Sequence, residues 1–184
     1  MSYFKLGERI IPVREAFLEG VLLKETGLYW SAKVIGDEMS IESLNEQPCA
    51  LIEEIPGISN RTFASVRELL PVTSGWDKPF IAREDGQMEY AFFSLFSSSW
   101  IEQGTLSITA DDGLKMTLTG MVEVNAGKYG NSVPLSVESS LEYRGIRCGT
   151  CSREEAIERL RSFASPAMFE CLLIKNQTWF KPIV

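Results

Sequence analysis

Two cysteines three positions apart are the residues whose type and spacing could most readily do chemistry in this chain. Cys148 and Cys151 form a Cys-x-x-Cys pair that ends just before Ser152, the expected N-cap of a helix. A thiol near the positive end of a helix, with Arg147 and Arg153 nearby, loses its proton more easily than a free cysteine. The pair therefore makes a thiol-redox enzyme or sensor one candidate function.

The same pair can also be a turn of small residues between a strand and a helix. Only 33 residues follow Cys151 in the 184-residue chain, too few to complete a thioredoxin-like fold, in which the pair comes early. A zinc site would also need Cys49 and Cys171, and neither belongs to a second Cys-x-x-Cys knuckle. We favour the turn, with four free thiols and with neither a metal nor another cofactor.

Histidine is absent from the chain. This excludes catalytic arrangements built on histidine and removes the side chain most used for proton transfer at neutral pH. The adjacent carboxylate pairs do not replace it, because neighbouring residues on a strand point to opposite faces. A glycine-rich stretch at 125–132, "NAGKYGNS", lacks the phosphate-loop pattern. It is expected to be a hairpin loop, in which Lys128 and Tyr129 could contact a partner. We therefore expect no enzymatic activity.

The composition favours a protein partner over nucleic acid or membrane. The formal net charge is −7, which disfavours phosphate backbones and anionic lipid surfaces. The N-terminal segment has no apolar core of signal-peptide length, and no apolar run approaches membrane-spanning length. We expect a cytoplasmic protein, since free cysteines suit a reducing compartment.

Aromatic residues in loops, with acidic residues around them, are the candidate partner-binding residues. A loop tryptophan buries a large area with few rotatable bonds, so it makes a good contact anchor, although it could also close the edge of the core. The candidates are Trp76, Asp77, Trp100, Glu102, Asp111 and Asp112. A third possibility is a small-molecule pocket lined by Phe92, Phe93, Phe96 and Trp100.

Three stretches predict β-hairpins with three-residue loops that end in glycine. The first has loop 25–27, with Gly27 at positive φ, and pairs Leu22 with Trp30. The second has loop 111–113 and pairs Leu106 with Leu118 and Ile108 with Met116. The third has loop 84–86 and pairs Phe80 with Tyr90 and Ala82 with Met88. The apolar strand 88–96 that follows is expected to be central in a sheet.

Further strands are expected at 133–143, 50–55 and 168–174. Two helices are expected. One spans 60–70 and stops at Pro71, and the other spans 152–164 and begins with a capping box of Ser152 and Glu155. The chain is thus expected to be α+β, a mostly antiparallel sheet of sequential hairpins with two helices packed against it. We expect one domain, 1–184, with a possible N-terminal hairpin subunit at 1–56.

These features together favour a non-enzymatic, acidic, cytosolic protein that binds and occludes a basic protein partner. In size, charge and lack of catalytic residues it is comparable to small bacterial immunity proteins and antitoxins and to dedicated chaperones of secreted proteins. Negative charge would steer the partner in, and aromatic anchors would hold it. The alternative is the thiol function of Cys148 and Cys151.

Overall fold

Antiparallel strands dominate the structure. A computed structural model of the chain describes residues 2–25, 27–41, 44–55, 57–78, 80–83, 86–124 and 132–183. Strand accounts for 60% of it and helix for 9%. The expected α+β class with two helices is therefore wrong, because the described residues form a mostly-β fold with a single α-helix.

Sixteen strands occur among the described residues. In chain order they are β1 Tyr3–Leu6, β2 Arg9–Leu23, β3 Gly27–Gly36, β4 Met39–Ile41, β5 Leu44–Glu46, β6 Cys49–Ile52, β7 Val72–Trp76, β8 Phe80–Arg83, β9 Gly86–Glu89, β10 Ala91–Ser94, β11 Ser98–Trp100, β12 Glu102–Thr109, β13 Leu114–Glu123, β14 Ser132–Arg147, β15 Phe169–Ile174 and β16 Gln177–Pro182. The helix α1 is Arg153–Leu160, and short 3-10 helices lie at Val66–Leu69 and Pro166–Met168.

Twelve of these strands form one sheet. Its main path runs β11-β10-β6-β3-β2-β1-β14-β13-β12-β7, and β16 joins it at β14 and carries β15. The smaller pairs β4–β5 and β8–β9 stand apart. β1 lies between the first halves of β2 and β14, whose second halves pair directly and in parallel, from Glu142 opposite Phe17 to Arg147 opposite Val21.

After an irregularity between Tyr143 and Ile146, β14 still pairs with β2 on one side, and on its other side β16 takes the place of β13. Gly145 lies at this point with φ +94, and a Cβ atom there would overlap the carbonyl oxygen of Phe180. Glycine is therefore required both for the backbone conformation and for the close approach of β16. This bulge is what attaches the C-terminal hairpin β15–β16 to the main sheet.

The buried side chains form one core between the two halves of the curled sheet. The ring centroids of Phe4 on β1 and Phe93 on β10 lie 6.5 Å apart, although several strands separate β1 from β10 in the sheet order. Trp30 on β3 is fully buried, with its ring 5.7 Å from Phe63 and 5.9 Å from Tyr143. Strands from the first 56 residues thus share a core with the rest of the chain, and the single-domain interpretation stays a prediction.

In the first two predicted hairpins, β2–β3 and β12–β13, the side chains lie on the predicted faces of the sheet. The β12–β13 hairpin also has the predicted register. β12 and β13 pair Leu106 with Leu118 and Ile108 with Met116, as predicted. In β2–β3, Trp30 pairs with Gly20 instead of Leu22, because Leu23 pairs with Gly27 and the whole register moves by two residues. A shift of two leaves every side chain on its predicted face, and Gly27 has the expected positive φ of +91.

The third hairpin differs by one residue. Ala82 pairs with Gln87 and Arg83 with Gly86, whereas the prediction paired Ala82 with Met88. Positions 84 and 85 lie outside the described residues. The predicted strand 88–96 is divided at Tyr90 into β9 and β10, and β10 lies next to the edge strand β11. The predicted strands 133–143, 50–55 and 168–174 correspond to β14, β6 and β15.

The expected helix at 60–70 is absent except for the single 3-10 turn Val66–Leu69. Its polar residues bond elsewhere: the side-chain oxygen of Asn60 accepts from the Leu28 N–H at 2.9 Å, and the Ser65 hydroxyl accepts from the Arg67 N–H at 3.2 Å. The Asn60 bond is to a residue 32 positions away and the Ser65 bond caps the 3-10 turn, so the helical segment begins only after Ser65. Phe63 and Leu69 are still buried, so their spacing reflects core contacts.

The helix expected at 152–164 is present as the shorter α1. Ser152 is its N-cap, and its hydroxyl accepts from the Glu155 N–H at 3.2 Å, as the capping pattern predicts. Ala156 and Leu160 face the core. The loop residues 125–131, including Lys128 and Tyr129, lie outside the described residues.

Candidate functional site

The Cys-x-x-Cys pair lies where β14 passes into α1. Cys148 is 4% exposed, and its N–H donates to the Thr178 carbonyl at 2.8 Å. Burial, and to a lesser extent the neighbouring Cys151 and Cys171, raise the pKa of the Cys148 thiol to about 12, and nearby Arg159 opposes the shift only in part. This is opposite to the lowering expected from the helix end and the arginines, because desolvation is the dominant effect.

Thr178 on β16 ties this connection to the C-terminal hairpin. Besides accepting from Cys148, it donates its N–H to the Gly149 carbonyl at 2.9 Å and its hydroxyl to the Cys151 carbonyl at 2.8 Å. The Cys151 sulfur lies 3.5 Å from the Cys148 carbonyl oxygen, and all four cysteines of the chain are free thiols. The geometry is that of a strand-to-helix turn held by backbone hydrogen bonds.

The six candidate partner-binding residues fall into two groups at opposite ends of β12. Trp76, Asp77, Trp100 and Glu102 surround its beginning, whereas Asp111 and Asp112 lie, exposed, in the turn after its end. A strand rises about 3.4 Å per residue, which places the two groups about 25 Å apart. The six residues therefore do not form one compact cluster.

Trp76 is held by the protein itself. Its indole N–H donates to the Ile101 carbonyl at 2.7 Å, and its ring centroid lies 5.4 Å from that of Tyr90. Asp77 beside it has an exposed side chain, and its carbonyl accepts from the Gln103 N–H at 2.9 Å. Trp76 therefore closes the edge of the core and fixes the start of β12, next to Glu102.

Trp100 and Glu102 line a shallow cleft of about 360 Å³. The other residues that line it are mainly polar: Ser98, Ser99, Met121, Val122, Glu123 and Ser132. Trp100 is 42% exposed, and the carboxylates of Glu102 and Glu123 are exposed beside it. Among the described residues that line this cleft there is no lysine or arginine. We call it the Trp100 cleft.

Ser99 fixes the relative positions of the two sides of the Trp100 cleft. Its hydroxyl accepts from the Glu123 N–H at 2.8 Å and donates to the Trp100 carbonyl at 3.1 Å. An indole and two carboxylates that line one cleft are suited to a cationic side chain, which interacts favourably with both kinds of group. The chemistry available in the cleft is therefore recognition of a lysine or arginine.

Glu123 and Ser99 were missed by the sequence reasoning. Glu123 is an isolated charge at the end of an alternating strand, and it reaches Trp100 only because β11 packs beside β13. No local pattern reports that non-local contact. The four aromatics of the suggested small-molecule pocket are not brought together: Phe92 pairs with Trp100, whereas the adjacent Phe93 pairs with Ser99 on the opposite face and is buried.

Among the described residues, no group of three or more cysteine, aspartate or glutamate side chains could hold a metal ion. No helix in the described ranges is long and apolar enough to cross a membrane. Comparison of the chain with models of known families, with curated proteins and with solved structures gave no match.

Proposed function

We propose that this chain is a non-enzymatic, cytoplasmic binding protein that covers a basic surface of a protein partner, in the manner of an immunity protein, an antitoxin or a dedicated chaperone. The Trp100 cleft is the contact point, and it receives a lysine or arginine side chain of the partner. The observation that carries the proposal is that Trp100, which is 42% exposed, lines the same cleft as the exposed residues Glu102 and Glu123.

The interactions in the Trp100 cleft are of the size expected for an anchor within a larger interface. A cation over an exposed indole contributes about 0.5–1 kcal/mol, and an exposed ion pair contributes about 0.2–1 kcal/mol. Two carboxylates and one indole thus supply roughly 1–3 kcal/mol. The remaining affinity comes from the surface around the cleft, as is usual when a few residues dominate a contact.

The net charge of −7 supports a basic partner. Opposite charges accelerate encounter and make the association rate fall as salt screens them. The four free thiols agree with the cytoplasmic setting. Asp77 adds negative charge near the cleft, whereas Asp111 and Asp112 lie at the far end of β12, outside the proposed contact point.

The test is affinity capture from a cytosolic extract of the native host with four baits. These are the wild type, Trp100→Ala, the double variant Glu102→Gln/Glu123→Gln and the double variant Asp111→Asn/Asp112→Asn. We expect the wild type to capture a protein rich in lysine and arginine, with recovery roughly three- to fivefold lower for both cleft variants. Raising salt from about 50 to 300 mM should lower recovery further.

The Asp111→Asn/Asp112→Asn variant is the matched control, because it removes the same two charges from exposed positions outside the cleft. Circular dichroism and thermal unfolding confirm that each bait is folded. Equal recovery by all four baits contradicts the proposal. If recovery falls as much for the control as for the cleft variants, the assignment of the contact to the cleft is contradicted. Salt-insensitive capture of a partner without excess basic charge contradicts the electrostatic argument.

A further inference from the structure

A second cavity shares no lining residue with the Trp100 cleft. It has a volume of about 520 Å³ and lies between the 3-10 turn Val66–Leu69, the start of β13 and the C-terminal hairpin. Small-molecule sites commonly have volumes of about 300–1,000 Å³. The cavity is therefore large enough for a small organic ligand.

The walls of this cavity are predominantly apolar. They include Val66, Leu114, Met168, Phe169, Pro182 and Ile183. Ile183 is 63% exposed, so the apolar lining continues to the solvent-facing side of the cavity. An apolar ligand body placed here would remove from water both its own surface and that of these side chains.

Arg67 is the only charged side chain among the described residues that line the cavity. It is exposed, and it forms no ion pair with another described residue. A guanidinium presents a planar fork of N–H groups that matches the two oxygens of a carboxylate. An arginine without a partner at an apolar cavity thus favours an anionic ligand with an apolar body.

Tyr143 supplies a second polar group at the wall. Its hydroxyl is buried and has no hydrogen-bond partner within the described residues. A buried hydroxyl without a partner is unfavourable. A ligand acceptor atom would satisfy this hydroxyl only if the Tyr143 side chain shifted toward the cavity, so the proposal below does not depend on it.

We propose that this cavity binds a small amphipathic monocarboxylate, with its apolar body against Met168, Phe169 and Ile183 and its carboxylate on Arg67. One positive charge at the site matches one carboxylate. This binding is independent of the proposed protein contact, since the two sites use different residues, so either can fail without the other.

Isothermal titration calorimetry with octanoate, 1-octanol and octylammonium tests the site, because the three probes share an eight-carbon chain and differ in head-group charge. We expect the wild type to bind octanoate about three- to fivefold more tightly than 1-octanol and to bind octylammonium most weakly. Arg67→Gln should lower octanoate affinity to that of 1-octanol and leave 1-octanol unchanged. Val66→Trp should weaken the binding of both octanoate and 1-octanol, because the larger side chain occupies the cavity.

The matched control is Arg61→Gln. Arg61 is also exposed on the same segment, contacts the Gly57 carbonyl at 3.4 Å and does not line the cavity. The Arg61→Gln variant should bind octanoate as tightly as the wild type does. Circular dichroism verifies that each variant is folded. The proposal is overturned if the wild type does not bind octanoate, if octanoate and 1-octanol bind equally, or if Arg61→Gln and Arg67→Gln have the same effect.

Discussion

Cys148 lies at the end of β14 with little of its surface exposed, and its backbone is fixed by Thr178 on the neighbouring strand. Its neighbours in sequence, Arg147 and the helix beginning after Ser152, favour a thiolate. Burial has the opposite and larger effect, because it raises the pKa of the Cys148 thiol and so favours the protonated form. A buried thiol that keeps its proton at neutral pH contributes to packing as a small apolar group, which is the role the geometry gives it.

Stability at alkaline pH should report this raised pKa. The folded-state pKa of Cys148 is about 12 and the ordinary value is 9.0, so the unfolded chain loses its proton first as pH rises. Cys148 therefore stabilises the fold fully below pH 9, and that stabilisation is lost progressively between pH 9 and pH 12.

The expected loss from this one group between pH 8 and pH 10 is about 1.4 kcal/mol of the free energy of unfolding. The Cys148→Ala variant has no thiol at this position and so does not undergo this loss. The difference in free energy of unfolding between wild type and variant should therefore be about 1.4 kcal/mol smaller at pH 10 than at pH 8, as measured by urea denaturation at both pH values. Other buried groups such as Tyr143 titrate in both proteins and cancel. A difference that stays constant would show that the thiol is not protected from titration.

A second residue-scale prediction concerns the contact between Gly104 and Trp76. A Cβ atom on Gly104 would overlap the indole of Trp76, which is held by its hydrogen bond to Ile101. Gly104→Ala should therefore lower the free energy of unfolding by about 1–3 kcal/mol. Urea denaturation followed by tryptophan fluorescence measures both the loss and the displacement of the indole.

Gly75→Ala is the control for this substitution. Gly75 lies on the adjacent strand β7, where the nearest atom to its Cβ would be 3.7 Å away, an ordinary contact. It should change stability by less than about 0.5 kcal/mol. Equal destabilisation by the two substitutions would mean that loss of a strand glycine, and not the indole contact, is responsible.

The connection from β14 to α1 is held both by a hydrogen bond between residues close in sequence and by one from a distant strand. Ser152 caps the helix through the Glu155 N–H, which the sequence pattern predicts. Thr178 holds the preceding loop from a strand near the C-terminus, which no local pattern predicts. The helix start is thus specified locally, and its position on the sheet depends on the C-terminal hairpin.

Ser152→Ala should lower the free energy of unfolding by about 1 kcal/mol, because it removes the side-chain acceptor of the first turn. Ser165→Ala provides the comparison. Ser165 precedes the 3-10 helix Pro166–Met168 and its side chain makes no capping bond, so the same chemical change should cost only a few tenths of a kcal/mol. Thermal and urea unfolding of the two variants would contradict the cap if both lost the same stability.

The elements also show what sequence patterns can predict here. The register of β12–β13 was predictable because Leu106, Ile108, Met116 and Leu118 alternate with polar residues around a short turn. The same alternation leaves β2–β3 ambiguous by two residues, since such a shift preserves both faces. At 60–70 the apolar spacing resembled a helix, but Asn60 and Ser65 bond to the backbone in other ways.

For the whole molecule, the decisive contacts join segments that are distant in sequence. Glu142 of β14 lies opposite Phe17 of β2, and Arg144 lies over the Phe17 ring at 3.7 Å while it pairs with Glu15. The Trp100 cleft arises in the same way, since Glu123 reaches Trp100 through β13. Sequence reasoning could therefore propose Trp100 and Glu102 as contact residues but could not assemble their site.

The most direct test of the proposed contact is site-specific photo-crosslinking in cells of the native host. A benzophenone amino acid is placed at Ser98, which lines the Trp100 cleft, and separately at Lys115, which is exposed near Asp111 and Asp112. After irradiation, mass spectrometry identifies the joined peptides. We predict that the probe at position 98 joins to a lysine- or arginine-containing segment of a protein partner and that the probe at position 115 gives much less of this product. No protein adduct at position 98, or equal yields at the two positions, would contradict the account.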